Sequence, residues 1–373
     1  VNRRLEVFLS RTEETKQLLD ERGARWTQRG GTAVVDDFGE PEAEYQSMVA
    51  GDLGLIERGE RETLVISGPE AIPWLQGLVT NDLHDLVEPG SGQRNAVVNT
   101  TGRFIADPRV LHIPELLVAD LEPGTLTGGL WSHLRGQIIL EDVDLDDRSE
   151  ATGRIGVYGR SAAQLLDDLA DWERAVGDCA PFCGTWGRWN GHDLVVQRMV
   201  WNQWPTFEIF CDVGIVAQLL EALDRLGDEP TWFGDRVFEN LRIEAGIPRF
   251  GVELDDKVIP LEAGFDDAIA YDKGCYLGQE IIARLDTRGT PAKILRRVIV
   301  DGDEVPTSES EILEADGGER SIGDVRSATY SSRLDAPVAL AYVKRKYNEL
   351  GNLVVIDGME GTLEGLLAVE QLD

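Results

Sequence analysis

The chain alternates short apolar runs with charged or glycine-marked breaks, a rhythm that predicts mixed helices and strands. Residues 5–24 have helical spacing, with Leu5, Phe8, Leu9, Leu18 and Leu19 as the apolar positions. Thr63 to Ser67 predicts a strand, Gly68-Pro69 a turn, and Glu70 to Leu78 a helix carrying Ile72, Leu75 and Leu78. The same order returns with a strand at Arg154 to Tyr158, a turn at Gly159, and a helix at Ser161 to Leu169. Two strand–turn–helix units predict duplicated α+β halves. A strand is expected at Phe207 to Phe210 and an amphipathic helix at Val213 to Leu226. A further helix at Phe238 to Ala245 is stopped by Gly246 and Pro248. From about residue 294 the texture changes. Arg297 to Val300, Val338 to Val343 and Leu353 to Ile356 are β-rich runs between acidic, Gly- and Ser-rich turns. They predict a small terminal barrel. The expected division is a module of two α+β subdomains over residues 1–293 and a β-barrel domain over 294–373.

A length of 373 residues fits this multidomain reading. The net charge of −32 is spread along the whole chain, and the basic residues are six lysines against 30 arginines. A diffuse acidic surface with little lysine predicts adaptation to high salt, where self-repulsion is screened within about 3 Å at 1 M. An acidic protein with a basic partner is the alternative. Nucleic-acid binding is disfavoured, because phosphate contacts need a basic patch. No apolar run approaches the roughly 20 residues of a membrane helix. The first residues lack the apolar core of a signal peptide, so a cytoplasmic protein is expected.

Four cysteines in such a chain do not make a disulfide scaffold. Cys179 and Cys183 form a C-x3-C pair with no second pair, and His192 is the only nearby histidine, so buried thiols fit better than a metal site. Cys211, after Ile209-Phe210, reads as core. Cys275 differs. It lies near Lys273, between Gly274 and Gly278, in a loop leading into a helix at about Gly278 to Arg284. A neighbouring cation or a helix N-terminus lowers a thiol's pKa. A working thiol and a packed cysteine in a Gly-bounded turn are both compatible with these residues. The four histidines are scattered and suggest no triad. No G-x-G-x-x-G or P-loop points to a nucleotide domain.

The string Lys273-Gly274-Cys275-Tyr276-Leu277-Gly278-Gln279-Glu280 resembles the Lys-Gly-Cys-Tyr-x-Gly-Gln-Glu signature of the YgfZ/GcvT family of folate-binding proteins. Trp74 to Asp82 is similar to the YgfZ branch's early Leu-Gln-Gly…Thr-x-Asp segment. Asn99-Thr100-Thr101-Gly102-Arg103 resembles the family's Asn-x-x-Gly turn. Leu241 to Gly246, Gly251 and Pro260 to Gly264 are similar to the pattern of the aminomethyltransferase of glycine cleavage, the T-protein. Ile322 to Thr329 resembles the family's C-terminal barrel. The likeness runs from about residue 45 to the end. It implies a GcvT-like cloverleaf of α+β subdomains plus a barrel, with tetrahydrofolate, or a related reduced pterin, in a central channel. For the YgfZ branch it implies folate-dependent help in building or repairing iron–sulfur proteins through Cys275, with iron–sulfur enzymes as clients. For the T-protein branch it implies one-carbon transfer from an aminomethyl carrier protein.

The transferases carry two adjacent acids after the Asn-x-x-Gly turn; here the place reads Ile105-Ala106-Asp107, and one acid is missing. The resemblance leaves Asp107 as the remaining acid, for catalysis or for contact with folate. The transferases also carry a Tyr-Thr-Gly-Glu run, replaced here by Trp201-Asn202-Gln203-Trp204-Pro205, before an acid whose place Glu208 keeps. Glu208 would accept hydrogen bonds from the pterin's amino-pyrimidine edge, and Trp201 would stack on its face. Lys273 would supply the cation for Cys275, and Asn99 and Arg242 would contact the cofactor. Folate's glutamate carboxylates need a local cation in so acidic a protein; Arg242, Arg249, Arg284, Arg288, Arg296 and Arg297 are the candidates.

Overall fold

The computed structural model describes residues 11–366 apart from residues 30, 202, 228 and 316–319, and only the backbone of residues 286–288. The apolar positions Leu5, Phe8 and Leu9 therefore lie outside the described residues. The described part of the first expected helix is Glu13–Glu21, where Thr12 caps the N-terminus by accepting from the Thr15 amide at 3.1 Å.

The two expected strand–turn–helix units are each the core of a separate sheet. The strand Glu62–Ser67 sits inside a five-stranded antiparallel sheet, between Asp144–Asp147 and Leu116–Leu121, with Arg109–Ile113 and Gly92–Arg94 beyond. The strand Thr152–Tyr158 sits inside a seven-stranded sheet, between Thr206–Asp212 and Gly54–Glu57. Each strand ends on a glycine that no other residue could replace without strain. Gly68 has φ +106° and a Cβ there would run into the carbonyl of Asp142; Gly159 has φ +114° and would run into that of Asp52. The helices that follow, Ala71–Gln76 and Ala162–Leu169, are too short to stand alone. They are held by burial of Trp74 and Leu75 in one half and of Leu165, Leu166 and Leu169 in the other. Each fully buried side chain of this size contributes about 1.5–3 kcal/mol.

The chain then runs through the helix Asp235–Ala245 and a series of short 3-10 turns to the helix Gln279–Arg288. The strands from Lys293–Val300 to Met359–Glu364 close into a six-stranded barrel. The barrel is not a separate bead. Its Leu295, Val338, Leu340 and Tyr342 share one apolar cluster with Phe104, Leu254, Val258, Phe265 and Tyr276 of the preceding module. Phe104 and Phe265 meet edge to face at 5.0 Å. Among the described residues no helix is long and apolar enough to cross a membrane.

Candidate functional site

Where the two sheets and the barrel meet, a cavity of about 660 Å³ remains, within the size range of small-molecule sites. Its lining includes Arg94, Arg109 and Trp201 of the module, Ile294, Leu295 and Arg296 of the barrel, and Leu366. Trp201 is buried against Phe238 at 5.0 Å, and the Arg109 guanidinium lies over its indole at 4.5 Å. The indole nitrogen has no hydrogen-bond partner.

Asp107 lies beside Arg109, whose Nη2 stands 3.7 Å from its carboxylate. It is 1 % exposed, yet neither carboxylate oxygen has a hydrogen-bond partner. Burial, only partly offset by Arg109 and reinforced by Glu122, pushes its pKa up to about 6. A buried carboxyl with two open oxygens, poised near neutrality, is suited to gripping a donor edge or to moving a proton. Ala106, at the place of the missing acid, is buried in the apolar cluster of the first half.

Arg109 belongs to a buried ion network that joins the two halves. Asp120 faces Thr63 across the first sheet, and Glu208 faces Gly156 across the second. Arg61 forks onto Asp120 with two bonds of 2.7 Å and reaches Glu122 at 2.6 Å. Arg154 bonds Asp120 and Glu208, the latter at 3.1 Å, and Arg109 approaches Asp120 at 3.3 Å. Burial raises the pKa of Asp120, but Arg154, Arg61 and Arg109 outweigh it and hold the carboxyl well below the usual range.

The sequence-expected site residues separate into three groups. Trp201 lines the cavity and Asp107 adjoins it. Glu208 is fully buried among Arg154, Arg58 and Arg61, at 3.1, 3.7 and 3.9 Å, and only its Oε1 lacks a hydrogen bond. Arg242 is equally buried, bonded to Glu239 at 2.7 Å and Glu253 at 3.1 Å, and does not line the cavity. Asn202 lies outside the described residues.

The third group is a joint that meets the cavity lining only at Asn81. The Lys273 ammonium donates to the carbonyls of Gln76, Val79 and Asn81 at 2.8, 2.8 and 2.7 Å. Its three donors are thus spent on the end of the helix Ala71–Gln76, which corrects the expectation that this cation serves Cys275. The Leu277 amide donates to the Gly77 carbonyl at 3.1 Å, and Thr80 Oγ1 to that of Ala268 at 2.6 Å. Gly278, φ +83°, lets the chain press against the carbonyl of Asn99. Asn99 is occupied in its own turn, its Oδ1 accepting from the Thr101 and Arg103 amides at 2.9 and 3.2 Å. Cys275 is the exposed point of this pinned loop; Cys179 and Cys211 are buried and Cys183 partly so.

Sequence reasoning missed Arg94, Arg109, Asp120 and Arg154. Their signal was a single charge within an otherwise apolar strand, as in Leu116–Leu121, which cannot be buried unpaired.

Residues 15–273 match the GCVT N-terminal domain, and residues 293–366 match the glycine cleavage T-protein C-terminal barrel domain. The chain is 28% identical to the aminomethyltransferase of Geobacillus kaustophilus over 346 residues, 90% of this chain and 91% of that one. It is 28% identical to the probable aminomethyltransferase of Haloarcula marismortui over 339 residues, 87% and 88% of the two chains. The crystal structure of glycine cleavage system aminomethyltransferase T from Bartonella henselae has the same fold, with a TM-score of 0.84 at 18% identity over 96% of this chain and 97% of that one. These likenesses bear out the folate-binding cloverleaf with its barrel but do not single out the YgfZ branch. The chain belongs to the GcvT family, that of the glycine cleavage T-protein, which uses tetrahydrofolate.

Proposed function

We propose that this protein is a tetrahydrofolate-dependent one-carbon transferase that takes an aminomethyl group from a carrier protein. The observation that carries the reading is Asp107, a buried carboxyl with both oxygens open beside Arg109 and the Trp201-lined cavity. The named relatives, aminomethyltransferases matched over nearly their full length, favour the same class. A reduced pterin suits this lining: the indole of Trp201 offers an apolar face, and the Asp107 oxygens can meet a polar edge or a proton. Tetrahydrofolate would supply the nitrogens that accept the one-carbon unit. Arg109 holds Asp107 in place, and the apolar wall at Leu295 and Leu366 limits water. The assay is purified protein with tetrahydrofolate and an aminomethyl-loaded carrier, in the multimolar salt that the charge predicts. Methylene-tetrahydrofolate and ammonia are expected in equal amounts, and Asp107→Asn is expected to lower the rate by about 10²-fold. No product from the wild type overturns the reading.

One pair of observations supports the accessory role in iron–sulfur protein assembly as a second reading. Cys275 is exposed on a rigidly seated loop, and Ala106 leaves the acid pair incomplete. Under that reading Cys275→Ala loses support of iron–sulfur enzymes in cells. Under the first it leaves both that support and the transfer rate unchanged.

A further inference from the structure

The cavity is lined by three cations, Arg94, Arg109 and Arg296, and they are not equivalent. Arg109 is neutralised by Asp120, and Arg94 by Asp267 at 3.2 Å. Of the other arginines expected to meet an anionic ligand, Arg284 is exposed and does not line the cavity, the side chain of Arg288 lies outside the described residues, and the remaining three are occupied. Arg249 bonds Glu239 at 2.8 Å and Arg297 bonds Glu364, while Arg242 is locked in its own pairs. Arg296 is different. It lines the barrel end of the cavity, half-buried, and among the described residues no carboxylate lies within ion-pair distance. Its Nε donates to the Asn348 carbonyl at 3.1 Å, which fixes the plane of the guanidinium and leaves its two terminal nitrogens open. Burial alone acts on Arg296, lowering its pKa with no acid to offset the cost. In a chain with 68 acidic residues, a half-buried arginine without one is an exception that a ligand would resolve.

We infer that Arg296 is the receptor for a carboxylate at the tail of the cavity's ligand, so that the pterin-like head lies toward Trp201 and the anionic tail toward Arg296 of the barrel. The inference rests on the folate reading above, and the test separates the two. Tetrahydrofolate and 6-methyltetrahydropterin, which has the same ring and no glutamate tail, are titrated calorimetrically into the wild type, Arg296→Gln and Arg296→Lys. Arg296→Gln is expected to weaken tetrahydrofolate about tenfold and to leave 6-methyltetrahydropterin within twofold. Arg296→Lys is expected to recover part of the loss, and the difference is expected to shrink as salt rises. Unchanged tetrahydrofolate affinity in Arg296→Gln overturns the inference while leaving the folate reading standing. An equal loss for both ligands also overturns it, because it marks a structural effect. If the wild type binds neither compound, the folate reading fails and takes this inference with it.

Discussion

The two halves of the module begin alike and end differently. Each offers a central strand, a glycine turn that excludes any side chain, and a short helix packed on its sheet. Each also contributes acids to the shared ion network, Asp120 and Glu122 from the first and Glu208 from the second. In the second half the helix Ala162–Leu169 buries its apolar face and accepts bonds from the segment that follows it, from Trp172 Nε1 and the Val176 amide. In the first half the end of the helix Ala71–Gln76 is taken over by Lys273, its sheet supplies Arg94 and Arg109 to the cavity, and Asp107 stands behind Arg109. The acids differ in the same sense. Asp120 is bonded on both oxygens by Arg61 and Arg154, whereas Glu208 keeps one oxygen open. The halves share a plan, yet they line the cavity differently, the first with Arg94 and Arg109 and the second with Phe182 and Trp201.

That asymmetry has measurable consequences. The greatest effect is expected from Asp120→Asn, which leaves Arg61 and Arg154 without their shared counter-charge. A loss of about 3–5 kcal/mol in chemical unfolding is expected, with Glu208→Gln costing clearly less. Equal costs would mean that the two acids are equivalent and the comparison is wrong. The glycine turns, by contrast, should behave alike. Gly68→Ala and Gly159→Ala are each expected to cost roughly 2–3 kcal/mol, from the backbone conformation and the blocked carbonyl together. Lys273→Met strips three carbonyls of their donor and should cost about 1–3 kcal/mol. It should also speed alkylation of Cys275 by loosening the loop, whereas an unchanged rate would show that the loop holds itself. The smallest effect is in pH dependence. Asp107 has a folded pKa near 6, above the unfolded carboxyl value. The native state therefore binds the proton more tightly, and stability falls as pH rises from about 4 to 6. Asp107→Asn should remove that part of the slope in melting curves taken across the window.

Much of the fold could be read from the chain because its local signals agree with its global structure. Arg154 to Tyr158, Gly159 and Ser161 to Leu169 match the strand, turn and helix to within two residues. The barrel strands follow from β-branched runs between acidic turns. The site was less legible. Arg109 looks like any charged residue on a strand and Arg296 was one of six candidate arginines; only the closure of three units around one space makes them lining. Lys273 was misassigned because closeness in sequence was taken for closeness in space. Two residues along a loop were enough to send its ammonium to a different helix. Glu208 kept the family's place, yet the arginines around it come from strands that sequence could not place beside it. The recognised motifs are nonetheless physically coherent. Gly77, Thr80, Asn99, Lys273 and Gly278, drawn from three separate segments, meet in a single joint.

The apolar cluster shared between barrel and module bears on the order of events during synthesis. Leu295, Val338, Leu340 and Tyr342 leave the ribosome after the module, and until they arrive Phe104, Phe265 and Tyr276 have no complete shelter. The pocket's far wall is made of the same late segment. Competence to hold a small molecule is thus acquired in the final step of maturation, and a chain arrested near residue 293 would be both unliganded and sticky. Small-molecule capture then acts as a seal on the finished product, rewarding only those copies in which every part has docked.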